Sequence, residues 1–126
     1  MKSYDPTLDI RPEEWLAVDE SERILLVERY HRKSKDLAES PRLHAIVHVV
    51  VENQLAMPDG EAARKALKRL MSERVSRHSA IHAIGSVVAT QVFAIVKDTE
   101  EKKVFDSAAY EISLENLKAS QWRAES

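Results

Sequence analysis

PRLHAIVHVVVENQLA, residues 41–56, is the stretch whose reading decides the fold. Its centre, IVHVVV at 46–51, is rich in β-branched residues and would suit a buried strand. Three features favour a helix instead. The apolar run is long for a strand, Ser40-Pro41 supplies an N-cap followed by a proline at the first helical position, and the neighbouring segments read as helices. One inference holds for either geometry. On a helix His44, His48 and Glu52 drift by only about 40° per step; on a strand all three are even-numbered and face one side. A segment built for burial therefore carries three groups that are costly to bury.

Working outward, MPDG at 57–60 reads as a turn, with Asp59 as a cap for a helix over 60–74. Ala63, Ala66, Leu67, Leu70 and Met71 form that helix's apolar stripe. Its other face, Arg64, Lys65, Lys68 and Arg69, reads as a solvated one. Ser76 caps the last long helix, 77–97, which the charged run DTEEKK at 98–103 ends. On the N-terminal side, Asp19-x-x-Glu22 resembles a capping box. It opens a helix with Ile24, Leu25, Val27 and Tyr30 near the core and a basic end at His31, Arg32 and Lys33. Pro12-Glu13-Glu14 starts a short helix with Trp15 and Leu16 as its apolar contacts. Residues 1–11 are polar and read as an extended arm. In the tail, Asp106 and Ser113 are cap candidates, and Tyr110, Ile112, Leu114, Leu117 and Trp122 are docking side chains. The expected architecture is an all-α single domain: arm 1–11, helical core 12–97, docking tail 104–126, with about four to six helices.

Composition narrows the function. The chain has 126 residues, 44% hydrophobic and 32% charged, and a net charge of −2. That balance disfavours a dedicated nucleic-acid binder, which needs a basic excess. The chain has no cysteine, which excludes disulfides, thiolate metal sites and cysteine nucleophiles. Only two glycines, Gly60 and Gly85, occur, too few for a glycine-rich nucleotide loop. The start MKSYDPTLDI lacks a signal-peptide apolar region, and no apolar stretch reaches the length of a membrane span. A cytoplasmic location is the expectation.

Four of the five histidines form two pairs with the same i,i+4 spacing, His44/His48 and His78/His82. That spacing places two imidazoles on one helix face with Cβ atoms about 5–6 Å apart, close enough to converge on one ion. In RHSAIHAIGSVVA, residues 77–89, His78, His82, Gly85, Ser86 and Ala89 share a face. A helical glycine costs about 1 kcal/mol relative to alanine, which a helix accepts where another chain segment comes close. The two histidine pairs are therefore expected to face each other. His44, His48, His78 and His82 are the candidate metal ligands, with Glu52 as a fifth ligand or as an acceptor that orients a histidine; the alternative for Glu52 is an ion pair, with an arginine as the partner. Such sulfur-free, imidazole-rich sites take divalent transition metals, zinc first and nickel, copper or iron as alternatives. HSAIH has the histidine spacing of H-E-x-x-H metalloproteases, but Ser79 stands where their general base would be, and Ala45 does so in the other pair. Whether the chain is an enzyme stays open. The rival readings are a metal-free homodimeric interaction module with a buried histidine network, and a small metal-dependent hydrolase or oxygenase. Val87, Val88, Val92, Phe93, Ile95 and Val96 cover more than one face of the last long helix and are what suggests a dimer.

LHAIVHVVVENQLA and RHSAIHAIGSVVA resemble strings in a bacterial family of small proteins classed as a domain of unknown function. The resemblance extends to the DPTLDIRPEEW start and the Trp122 region. It implies a bacterial, cytoplasmic helical protein and supplies no activity. Similar proteins carry Glu after the first histidine of the second pair, where this chain has Ser79.

Overall fold

The computed structural model describes residues 1–33, 40–98 and 104–123. They form six helices and no strand: α1 Pro12–Leu16, α2 Glu20–Lys33, α3 Pro41–Ala56, α4 Glu61–Ser72, α5 Arg77–Val96 and α6 Ser107–Glu115, with a 3₁₀ turn at Ala119–Gln121. The stretch expected to end α5 lies outside the described residues beyond Asp98, as do the side chains of Phe93 and Val96.

The deciding stretch is the central helix. α3 packs against α1, α2, α4 and α5. Its buried residues, Ala45, His48, Val49, Val51 and Glu52, lie on more than one face. That position explains the β-branched content. A helix covered on several sides gains more from burying valines than it loses in χ1 freedom. One core cluster joins α3 to the arm, α1 and α2 through Tyr4, Trp15, Leu26, Val27, Ala45 and Val49. Another joins it to α4, α5 and α6 through Val51, Ala66, Ile81, Ile84 and Leu114. Each fully buried Leu or Ile contributes about 1.5–3 kcal/mol.

Helix ends show where turn chemistry was read correctly and where it was not. Ser76 Oγ accepts from Ser79 N at 3.2 Å and Asp106 Oδ1 from Ala109 N at 3.0 Å, so both cap. Ser40 and Asp59 do not: neither α3 nor α4 has a side-chain cap bond at its start. Gly60 is the N-cap of α4, and a Cβ there would sit 1.6 Å from the Gln54 carbonyl oxygen. The close approach of α3's end to that turn fixes glycine at this position. Ser113 lies inside α6 rather than capping a further helix.

The basic face of α4 divides in two. Arg64 donates to the carbonyls of Met57 at 2.5 Å and Pro58 at 3.1 Å and so fastens α4 to the turn that follows α3. Arg69 donates to the carbonyls of Leu114 and Leu117, both at 2.9 Å, and fastens the tail. Lys65 makes an exposed ion pair with Glu61, worth about 0.3–0.5 kcal/mol. α3 and α5 meet closely at Gly85, where an added Cβ would lie 2.8 Å from Val47 Cγ1. The arm has no regular structure, but it is not a free extension: Tyr4 and Pro6 are buried on the body.

Candidate metal centre

α3 and α5 run past each other with His44 and His48 facing His78 and His82. Neighbouring ring centroids are 4.4–5.2 Å apart. The fifth histidine, His31 near the end of α2, completes the group. Its ring lies 4.5 Å from His44, 4.6 Å from His48 and 5.7 Å from His78. All five imidazoles of the chain therefore occupy one cluster, drawn from three helices. His31 and His48 are buried, and His44, His78 and His82 are half-buried.

One ligand nitrogen from each of His31, His48, His78 and His82 can be chosen so that all four lie within 4.8 Å of one another. Two zinc–nitrogen bonds of 2.0–2.1 Å at a tetrahedral angle place their nitrogens about 3.3 Å apart. The Nε2 atoms of His48 and His82 are 3.0 Å apart, already near that spacing. The widest pair needs a rotamer adjustment of roughly 1–1.5 Å to reach it. His44 stands beside this set, its Nε2 3.1 Å from Nε2 of His31.

The rings are supported from behind. His31 Nδ1 lies 2.8 Å from the Val27 carbonyl, one turn back on α2. A carbonyl only accepts, so this nitrogen carries a proton, and in the neutral ring the Nε2 lone pair faces the cluster. His44 must then donate its own Nε2 proton to His31. His48 Nδ1 lies 3.0 Å from the Tyr4 hydroxyl, which also lies 2.7 Å from Glu52 Oε2. Burial, reinforced by the four surrounding imidazoles, pushes the His48 pKa far below the ordinary histidine value. The ring is thus neutral, as ligation requires. Burial and the neighbouring Glu52 raise the Tyr4 hydroxyl well above its usual range, so the phenol keeps its proton.

Glu52 is linked to the cluster through Tyr4. Arg77 grips its carboxylate with Nη1 at 3.0 Å and Nη2 at 2.9 Å, and donates a further bond to the Pro6 carbonyl at 2.9 Å. Burial opposes the Arg77 charge, but the Glu52 bonds and charge outweigh it and raise its pKa. Glu52 is 2% exposed and Arg77 5%. Three bonds converge on the carboxylate, two on Oε2 and one on Oε1, so Glu52 is committed to Arg77 and Tyr4.

Sequence reasoning missed His31, Tyr4 and Arg77. His31 was readable as part of a basic helix end, yet it follows Val27 by one turn on the buried stripe of α2, a signal that places it inward. Arg77 adjoins the second histidine pair, but its partner is in another helix. Tyr4 sits in a segment with no periodicity to reveal its burial. The donor set of this cluster is nitrogen only, which suits zinc, nickel, copper or iron(II) and not the oxygen-seeking magnesium and calcium. No helix among the described residues is long and apolar enough to cross a membrane. No family model matches the chain, and neither a curated protein nor a solved structure matches it at a significant level.

Proposed function

We propose that this protein binds one divalent transition-metal ion among the imidazoles of α2, α3 and α5. The observation that carries the reading is the convergence of ligand nitrogens within 4.8 Å, two from the buried His31 and His48 and two from the half-buried His78 and His82. Five rings gathered from three helices exceed what a single satisfied core histidine needs. His44 is the adjacent fifth imidazole, and Glu52 acts behind the ligands. Zinc is the first candidate, with nickel, copper and iron as alternatives. The ion would tie α2, α3 and α5 together. Glu52, the acid that shares a helix face with His44 and His48, is committed to Arg77 and Tyr4 rather than free to act as a general base, which favours binding over hydrolysis.

The test is the metal content of protein purified without a histidine tag and then dialysed against zinc, nickel, copper or anaerobic iron(II). About one ion per chain is expected, lost when His48 and His82 are both replaced by alanine. Sub-stoichiometric metal under every condition overturns the proposal.

A second reading is favoured by the short His31–His44 and His48–His82 contacts, which can be ordinary hydrogen bonds. In that reading the cluster is a metal-free polar network inside a homodimeric interaction module. A melting temperature indifferent to chelator but lowered by dilution selects it.

A further inference from the structure

Tyr4 has one proton and two polar neighbours. Its oxygen lies 2.7 Å from Glu52 Oε2 and 3.0 Å from His48 Nδ1. The Glu52 carboxylate is held by two bonds from Arg77, so it is an acceptor only. The phenolic proton goes to it, because a charged acceptor at the shorter distance makes the stronger bond. The phenol oxygen is then left as an acceptor, and His48 Nδ1 must be the donor. The reverse arrangement would need a protonated carboxyl set against a buried guanidinium and would dissolve the ion pair. Proton accounting along Arg77, Glu52, Tyr4 and His48 therefore has one solution. It leaves the His48 Nε2 lone pair directed at the cluster, 3.0 Å from His82 Nε2.

We propose that Tyr4, clamped by the Glu52–Arg77 pair, is a positioning residue of the metal centre that holds His48 with its proton on Nδ1 and its Nε2 ready to ligate. This role rests on the metal-binding reading above. It makes the N-terminal arm part of the site. Tyr4 is 3% exposed, and the arm is fastened around it by the Arg77 bond to the Pro6 carbonyl and the Arg77–Asp9 contact at 3.3 Å. Tyr4 also packs edge-on against His48, with ring centroids 5.9 Å apart, and tilted against Trp15 at 5.8 Å. Those contacts fix the hydroxyl laterally as well as by hydrogen bonding. With the Val27 carbonyl setting His31 in the same form, two of the four converging rings are aimed before any ion arrives. In this arrangement His82 Nε2 donates to His48 and must release that proton before ligating through the same nitrogen.

The experiment compares wild type, Tyr4→Phe and Tyr110→Phe. The last removes a part-buried hydroxyl bonded to Gln54 rather than to a histidine, and controls for loss of a phenol as such. Two-bond ¹H–¹⁵N spectra of metal-free protein read the His48 form directly, and a zinc competition titration reads affinity. Expected are His48 protonated on Nδ1 in wild type and in Y110F, a mixture of forms in Y4F, and zinc affinity about 10–100-fold weaker in Y4F alone. Wild-type His48 protonated on Nε2 overturns the proposal without any variant, which keeps it testable if Y4F does not fold. Y4F binding zinc within about twofold of wild type also overturns it, and does so for this role alone. A wild type that takes no metal of any kind removes the metal reading itself, and is recognised before the variants are compared.

Discussion

Arg77→Met is the sharpest perturbation of the support behind the site. Methionine approximates the aliphatic stem of arginine but removes both bonds to Glu52 and the bond to the Pro6 carbonyl. Glu52, 2% exposed, would be left as a buried charge without a counter-ion. Breaking a buried pair from one side costs about 3–5 kcal/mol. A chain of this length has a total stability of roughly 6–19 kcal/mol, so the loss is a large share of it. At about 3–5 °C per kcal/mol, interpolated between the usual values for smaller and larger domains, the melting temperature should fall by on the order of 10–20 °C. Glu52→Gln alone leaves the buried Arg77 with only the exposed Asp9 as counter-ion and should also be costly. The double variant E52Q/R77M removes both charges, retains a side-chain oxygen for the Tyr4 proton, and should recover about 2–3 kcal/mol relative to the sum of the singles. Urea denaturation of all four proteins, with unchanged m-values, measures the cycle. The reasoning fails if R77M costs less than about 1 kcal/mol, or if the two single losses simply add.

Metal-free protein should lose stability in mild acid. The folded-state pKa of His48 is depressed below the unfolded value of about 6.5, so its contribution is fully present above pH 6.5 and declines as the pH falls below it, by up to about 1.4 kcal/mol per pH unit. Denaturant titrations between pH 7.5 and 5 follow this, and His48→Leu should flatten the slope. Gly85→Ala gains about 1 kcal/mol of helix propensity but drives a methyl to 2.8 Å from Val47 Cγ1 on a stiff β-branched side chain. Overpacking costs about 1–3 kcal/mol, so the expected net change is a loss of up to about 2 kcal/mol, recovered in part by Val47→Ala; thermal melts that show G85A stabilised contradict the close packing. His31→Ala should weaken zinc binding more than about 100-fold, beyond the loss expected of a supporting group, whereas His44→Ala should weaken it less than about tenfold. Equal losses in the competition titration would make His44 a ligand of the same standing.

The legible parts of this molecule are those that a single helix encodes. The i,i+4 spacing in α3 and α5 exposed two imidazole pairs, and the helical Gly85, three residues past His82, showed where the two helices approach. The all-helical class followed from the length of the segment around IVHVVV and from Pro41 at its first turn, despite its β-branched content and although Ser40 makes no cap bond. The illegible parts are relations between segments. His31 is thirteen residues before His44, with no periodic link between them. Glu52 was visible as a costly buried acid, yet the groups that satisfy it lie in the arm and on α5, at sequence distances of 48 and 25 residues. Likewise Arg64 and Arg69 looked like solvated cations because the carbonyls they bind belong to other elements.

One amide side chain ties three helices at a single atom. Asn53 Oδ1 on α3 accepts from Trp15 Nε1 on α1 at 2.8 Å and from Arg23 Nη1 on α2 at 3.0 Å. Two crossings that look independent in the helix packing thus share one rivet, one turn from the histidine-bearing face. Its removal would slacken both at once, and because α2 carries His31, a change at an asparagine that touches no imidazole would reach the ring cluster by letting an entire helix slide.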